Sequence, residues 1–346
     1  MPREPSSQVA GHLGYYKQYG LSPVRYNIAD LDRHFDRRDS LYRSLGSDGL
    51  QGKECTRVGS RFRSQQLIRS GVPASLDLVE PNTVAVRDLQ AAYAGLERPH
   101  TKPKIHPAML ESFTPQSQFD VVICENWLGN LPREIELIRK LASLVAPDGV
   151  LAITITLVSG YFPNIMRKLL ALRITDPNLS FDEKTEFLSA VFGAHLRTIA
   201  DMTRTVSDWI QDCMLKPHYF HVVISLDTLI ETIGGEMELL ATFPRFILDW
   251  RWFKSLVGGS RLFNENGLIA YRQNFHNFLD YRRTWNARLA EQNASLDKAF
   301  NAVHSAAIRW QATAEQDKIS ELRLLAMRSV DDLPNSPKKS KNLIHA

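Results

Sequence analysis

Apolar positions along this chain recur first at helical spacing, then as short runs, then at helical spacing again. From Leu13 to Leu45 the pattern is helical, with Tyr15, Tyr16 and Tyr19 ahead of a turn at Gly20–Pro23. Leu31, Phe35, Leu41, Tyr42 and Leu45 follow at roughly helical intervals, and Gly46 is a natural helix stop. Beyond residue 73 the period changes. ASLDLVEPN (Ala74–Asn82) reads as a strand ending in an acid, AVRDLQAAYAGL as a helix, and KIHPAMLESF as containing another strand ending in an acid. FDVVICENWLGN (Phe119–Asn130) is a third strand with a polar-aromatic loop. PREIELIRKLASLVAPDG is an amphipathic helix with Pro132 near its start and a Pro-Asp-Gly stop, and GVLAITITLV is a fourth strand, apolar on both faces. Strands alternating with helices, the last strand almost continuously apolar, predict a parallel sheet covered on both sides.

From Pro163 to about Ile233 the pattern is mainly helical. MELLATFPRF (Met237–Phe246) reads as a late strand, DWRWFKSL is an aromatic-basic segment, and Phe263 to about Val330 is helical and increasingly polar. The expected organisation is a helical cap over 1–46, a sheet core over 47–160, and a helical insertion with late strands over 161–262. C-terminal helices over 263–330 and a solvated tail over 331–346 complete it.

Composition narrows the function classes. The 346 residues are 44% hydrophobic and 23% charged, so a large core is expected. A net charge of +4 without a dense basic stripe argues against a nucleic-acid partner. Cys55, Cys124 and Cys213 lie far apart without metal-ligand spacing, so no metal is expected. The N-terminus has no apolar core of a signal peptide, and the run Val150–Val158 is about half a membrane span. A cytoplasmic protein without a membrane partner is expected, with the C-terminal helices as the surface for a homodimer.

In order and spacing, the run from Ala74 to Val158 resembles the class I S-adenosylmethionine-dependent methyltransferases. The likeness rests on Glu80 closing LDLVEPN, Glu111 in MLESF, the loop of FDVVICENWL, and the Pro-Asp-Gly turn feeding GVLAI. The resemblance implies an α/β fold: a Rossmann-like methyltransferase sheet with a helical N-terminal cap and a largely helical C-terminal elaboration. It implies S-adenosylmethionine as cofactor, with Glu80 accepting from the ribose diol. Glu111 or Ser112 would meet the adenine amine, with Phe113 against the ring, and Glu125, Asn126 and Trp127 would border the methyl-transfer site. A structural reading stands beside each: acids after strands also serve as helix caps or solvated loop residues, and Trp127 also suits a core.

One segment departs from the family pattern. Between Gly46 and Ala74 a strand ending in an acid and a Gly-x-Gly turn are expected. QGKECTRVGSRFRSQQLIRSG (Gln51–Gly71) offers instead Arg57, Arg61, Arg63 and Arg69, with Gly59 alone. As protein chemistry it reads as a poor central strand, since arginines are not buried unpaired. Read one base later, permitted codons from Lys53 to Ile68 allow the string KNVLELAAGSGHNSLY, which carries the missing strand, acid and glycines. We read the segment as a local frame slip between about Gln51 and Val72; codons that cannot yield a Gly-x-Gly in the shifted frame would end that reading. The chain as written is expected to bind the cofactor weakly or not at all.

Methyl transfer needs alignment of the nucleophile and, for an oxygen nucleophile, a base. His195, His218 and His221 are the candidate bases, with Asp201 and Asp208 close in sequence; isolated histidines also occur as surface or core residues. Tyr15, Tyr16, Arg204, Arg245 and Arg251 are candidates for a polar substrate, such as a sugar or glycan precursor, although aromatic-basic clusters such as PRFILDWRWFK also serve as packing. Two readings follow: a small-molecule methyltransferase, or a non-catalytic protein of the same fold acting as an interaction or regulatory module. A nicotinamide-dependent oxidoreductase fits less well, because its glycine fingerprint is equally missing.

Overall fold

A computed structural model describes residues 14–21, 53–58, 73–94, 103–125, 127–129, 133–199, 204–216, 223–247, 263–280 and 282–313. The chain divides into two compact units, Met1–Ile155 with Ser189–Pro217, and Thr156–Leu188 with His218–Ala346.

Five parallel strands build the sheet of the first unit: β1 (Glu54–Val58), β2 (Ser75–Val79), β3 (Lys104–His106), β4 (Phe119–Cys124) and β5 (Val145–Ile153). Their order is β3-β2-β1-β4-β5, the Rossmann-like arrangement expected from the alternating pattern. On one face, Cys55, Leu76, Leu78, Val121 and Ile123 meet Ala85, Leu89 and Tyr93 of a helix at Thr83–Ala94. Counting the short helix at 14–18 as α1, this helix is α2. Its buried positions 85, 86, 89 and 93 share one stripe, and each large side chain so buried contributes about 1.5–3 kcal/mol.

The central strand corrects the expectation drawn from its letters. Glu54–Val58 lies in the middle of the sheet, with Cys55, Thr56, Arg57 and Val58 all fully buried. Arg57 is tolerated there because it is not unpaired: its Nη2 lies 2.9 Å from Glu125 Oε2. Arg61, Arg63 and Arg69 lie outside the described residues.

Two boundaries also differ from the expected ones. Helix α3 (Glu134–Ser143) stops before the Pro-Asp-Gly turn, which falls inside the span of β5. Phe119 pairs with Val145 but Val121 with Val150, so 146–149 bulge out opposite Asp120. Asp148 adopts φ 60°, and a Cβ on Gly149 would sit 2.8 Å from the carbonyl oxygens of Ala146 and Asp120. Strand β5 ends at Ile153, and the apolar run beyond it turns into α4 (Val158–Ile174), which begins before Pro163.

The described part of the second unit is helical. It contains α4, the start of α5 (Phe181–Arg197), α7 (Leu226–Ile233), α8 (Phe263–Asn274) and α9 (Ala290–Thr313), while the short α6 (Val206–Ile210) belongs to the first unit. Phe162 and Phe300 join α4 to α9 with ring centroids 4.4 Å apart, and Phe275 adds a third ring 6.4 Å from Phe300. The strand expected over Met237–Phe246 does not form. Asn264 takes its backbone groups instead, accepting from Leu239 N at 2.8 Å and donating to Met237 O at 3.0 Å. Pro244 brings no donor, and Leu240 and Phe243 stay exposed. DWRWFKSL and the tail over 331–346 lie outside the described residues.

Candidate functional site

All five strands run the same way, so their carboxyl ends share one edge, and the strand order reverses between β1 and β4. In open α/β sheets that reversal is where a ligand crevice forms. The loop after β1, where the glycine turn was expected, lies outside the described residues.

Glu80 follows β2 directly and is 5% exposed. Its backbone N–H donates to His106 O at 3.0 Å, tying it to the end of β3, and its Oε1 accepts from Asn82 N at 2.7 Å. Pro81 between them leaves no competing N–H. Asn82 caps α2, its Oδ1 accepting from Val84 N at 3.0 Å and Ala85 N at 3.4 Å. It is 3% exposed, and its Nδ2 has no hydrogen-bond partner among the described residues.

Glu111 and Ser112 stand exposed on a 3-10 turn at Leu110–Ser112, with Ser112 Oγ donating to Met109 O at 3.0 Å. Phe113 is buried: its ring stacks on Phe119 with centroids 6.4 Å apart and tilts against His106 at 5.0 Å. The His106 ring in turn meets the Asp77 carboxylate. Glu80 and Phe113 therefore converge on the same residue, His106, from neighbouring elements.

Glu125 follows β4 and is 5% exposed, its carboxylate engaged by Arg57. Burial pushes the thiols of Cys55 and Cys124 up to about 12, so neither supplies a thiolate near neutral pH. Trp127 is half-buried, and Asn126 lies outside the described residues.

Three of the substrate candidates meet in the first unit. Tyr15 donates to Gln211 O and Tyr16 to Asp212 Oδ1, both at 2.6 Å, while Arg204 Nη1 pairs with Asp212 Oδ2 at 2.5 Å. Gln211 and Asp212 open a π-helical turn, Gln211–Leu215, a geometry frequent at functional positions. Burial, and then the Asp212 charge, push the Tyr15 phenol far up, so it stays a hydrogen-bond donor. Arg245 is exposed in the second unit, and Arg251 lies outside the described residues. Among the candidate bases, His195 is exposed on the last turn of α5, while His218 and His221, like Asp201, lie outside the described residues.

The sequence reading missed Arg57 and Asn82. Asn82 carried a signal, a cap-type residue one position before the helix. Arg57 carried none, because its partner lies 68 residues away. No group of three or more metal-ligating side chains occurs among the described residues, and no described helix is long and apolar enough to cross a membrane.

No protein-family model matches the chain, and no curated protein matches it. Solved structures do. An S-adenosylmethionine dependent methyltransferase from Mesorhizobium loti is similar at 17% identity over 35% of this chain and 54% of that one, with a TM-score of 0.29. The N-methyltransferase NodS from Bradyrhizobium japonicum, in complex with S-adenosyl-l-homocysteine, is similar at 15% identity over 40% of this chain and 70% of that one (TM-score 0.31). PKMT2 from Rickettsia typhi aligns at 10% identity over 73% of this chain and 51% of that one (TM-score 0.45). The chain spans about half the length of the Mesorhizobium and Rickettsia proteins.

Proposed function

We propose that this chain is an S-adenosylmethionine-dependent methyltransferase of the class I type, acting on a polar small molecule such as a sugar or glycan precursor. The observation that carries the reading is Glu80. A buried carboxylate stands at the carboxyl end of β2, beside the central strand, its orientation set by the Asn82 N–H. A ribose diol offers two hydroxyl donors to such an acceptor. Glu80 would hold the sugar, with Glu111, Ser112 and Phe113 bordering the base and Glu125, Asn126 and Trp127 bordering the transfer site. When bound, S-adenosylmethionine supplies an activated methyl group for an in-line displacement. The protein's own part is to orient the acceptor and exclude water. Tyr15, Tyr16 and Arg204, joined through Asp212 or its neighbour Gln211, suit a polar substrate, and Arg245 and Arg251 complete the proposed set. His195, His218 and His221 are the proposed bases.

The reading keeps 47–160 as the cofactor core and 161–262 as the substrate region. It takes the partner to be a small molecule and not a nucleic acid, puts the protein in the cytoplasm, and gives a homodimer the C-terminal helices. A second reading, a non-catalytic module of the same fold, is favoured by one observation: Arg57 is built into the core and occupies the carboxylate of Glu125.

Calorimetric titration with S-adenosylmethionine, followed by labelled methyl transfer into a metabolite extract, tests both. Micromolar binding with transfer supports the enzyme and overturns the defect expected of segment 51–72. Binding without transfer supports the module, and no binding at all is the defect expected of segment 51–72 and removes the methyl donor from the chain as written.

A further inference from the structure

Asn82 has a donor that the fold leaves unused. Its Oδ1 accepts from Val84 N and Ala85 N, which fixes the amide orientation: the oxygen faces the first turn of α2 and the nitrogen is turned elsewhere. That nitrogen is shielded from water yet has no partner among the described residues, in a side chain only 3% exposed. Buried amide N–H groups are seldom left unpaired in native folds, and where they are, a ligand or ordered water commonly completes the bond. The neighbourhood says which ligand. The Asn82 backbone N–H fixes the Glu80 carboxylate, so an acceptor and an unused donor stand two residues apart at the carboxyl end of β2. Helix α2 is twelve residues long, and its N-terminus adds partial positive charge that favours an electron-rich atom there.

We propose that Asn82 is a second ligand-binding residue, whose Nδ2 donates to a ribose hydroxyl oxygen of the nucleoside whose diol Glu80 accepts. The inference rests on the nucleoside-binding reading of Glu80 and adds to it a donor that discriminates ribose from deoxyribose. A carboxylate alone reads a diol through its hydroxyl hydrogens. A carboxylate with an amide donor also reads a hydroxyl oxygen, and a site built to bond a hydroxyl rejects the analogue lacking it far more strongly than a merely apolar pocket does.

The test is calorimetric titration of the full chain and its Asn82→Asp variant with S-adenosylhomocysteine, adenosine and 2′-deoxyadenosine. Aspartate keeps the helix capped, because its oxygens accept the same N–H groups, but it removes the donor. The variant is expected to bind S-adenosylhomocysteine roughly tenfold or more weakly and to lose most of the preference for adenosine over 2′-deoxyadenosine. Unchanged affinity and preference in Asn82→Asp overturn the Asn82 assignment while leaving the Glu80 reading intact. Failure of the unaltered chain to bind any of the three overturns both. If Asn82→Asp does not fold, Asn82→Gly, which an N-cap position tolerates at little cost and which has no side-chain donor, is titrated in its place against the same two outcomes.

Discussion

Arg57 in the central strand and Glu125 at the end of its neighbour form an ion pair at 2.9 Å, with side chains 0% and 4% exposed. The pair crosses from β1 to β4, the two strands between which the sheet order reverses. Desolvating both charges costs about as much as their attraction returns, but removing one partner strands the other in the core. Glu125→Leu and Arg57→Leu are each expected to lower unfolding stability by about 3–5 kcal/mol, while the two together recover most of the loss. Urea unfolding of the four proteins measures the coupling. Single-variant losses below about 0.5 kcal/mol, the range of ordinary surface substitutions, would show that the pair is not part of the core.

That pair also explains what could and could not be read from the letters. Strands β2 and β4 were legible because SLDLV and FDVVIC carry their burial in their own apolar residues. Strand β1 was illegible because ECTRV hides Arg57 by pairing it with a distant acid, and no local pattern reports a partner 68 residues away. The late strand over Met237–Phe246 failed for the converse reason: the letters suit a strand, but Asn264 claims its backbone groups. At the site, Glu80 was legible as an acid closing a strand. Asn82 closed the stretch read as a strand, because its capping role shows only once the helix start at Thr83 is known.

Gly149 is where the chain returns to the sheet after its bulge. A methyl group there would lie 2.8 Å from Ala146 O, Asp120 O and Val145 Cγ1, and two of those are backbone atoms of a bulge flanked on both sides by paired residues. Asp120 is further committed, since its carboxylate accepts from Glu54 N at 2.8 Å. Gly149→Ala is therefore expected to cost about 1–3 kcal/mol through forced backbone movement, more than its gain from reduced freedom of the unfolded chain. A melting temperature equal to or above that of the unaltered protein would contradict this.

Tyr16 anchors the N-terminal helix through Asp212, which also holds Arg204. The ring itself packs edge-on against Tyr15 at 5.6 Å, so Tyr16→Phe removes the hydrogen bond and keeps the packing. A bond to a charged acceptor is worth about 1.5–3 kcal/mol, and the partial exposure of Asp212 favours the lower end. The expected loss on chemical unfolding is about 1–2 kcal/mol. Amide exchange over residues 14–21 should accelerate with it; an unchanged exchange rate would argue that the anchor lies elsewhere.

His276 gives the protein a pH-dependent element of stability. The ring is 2% exposed, its Nδ1 accepts from Asn293 Nδ2 at 3.2 Å, and its Nε2–H donates to Asn286 O at 3.1 Å. Asn293 is fixed in that role because the same nitrogen donates to Arg272 O and Gln273 O at 2.7 and 3.0 Å. A proton on Nδ1 would face an N–H group. Burial, and then the charge of Arg288, hold the histidine below its ordinary 6.5. In the unfolded chain the ring titrates near that ordinary value, so below it the unfolded state binds the proton first. More protons on the unfolded state means stability rises with pH: the contribution is complete above about 6.5 and is lost as the pH falls through the lower native value. The slope from one such group is at most about 1.4 kcal/mol per pH unit. Denaturant midpoints compared between the unaltered protein and His276→Gln, from neutral to mildly acidic pH, isolate it from other titrating groups. The unaltered protein should lose stability more steeply over that range, and parallel curves would remove His276 as the source.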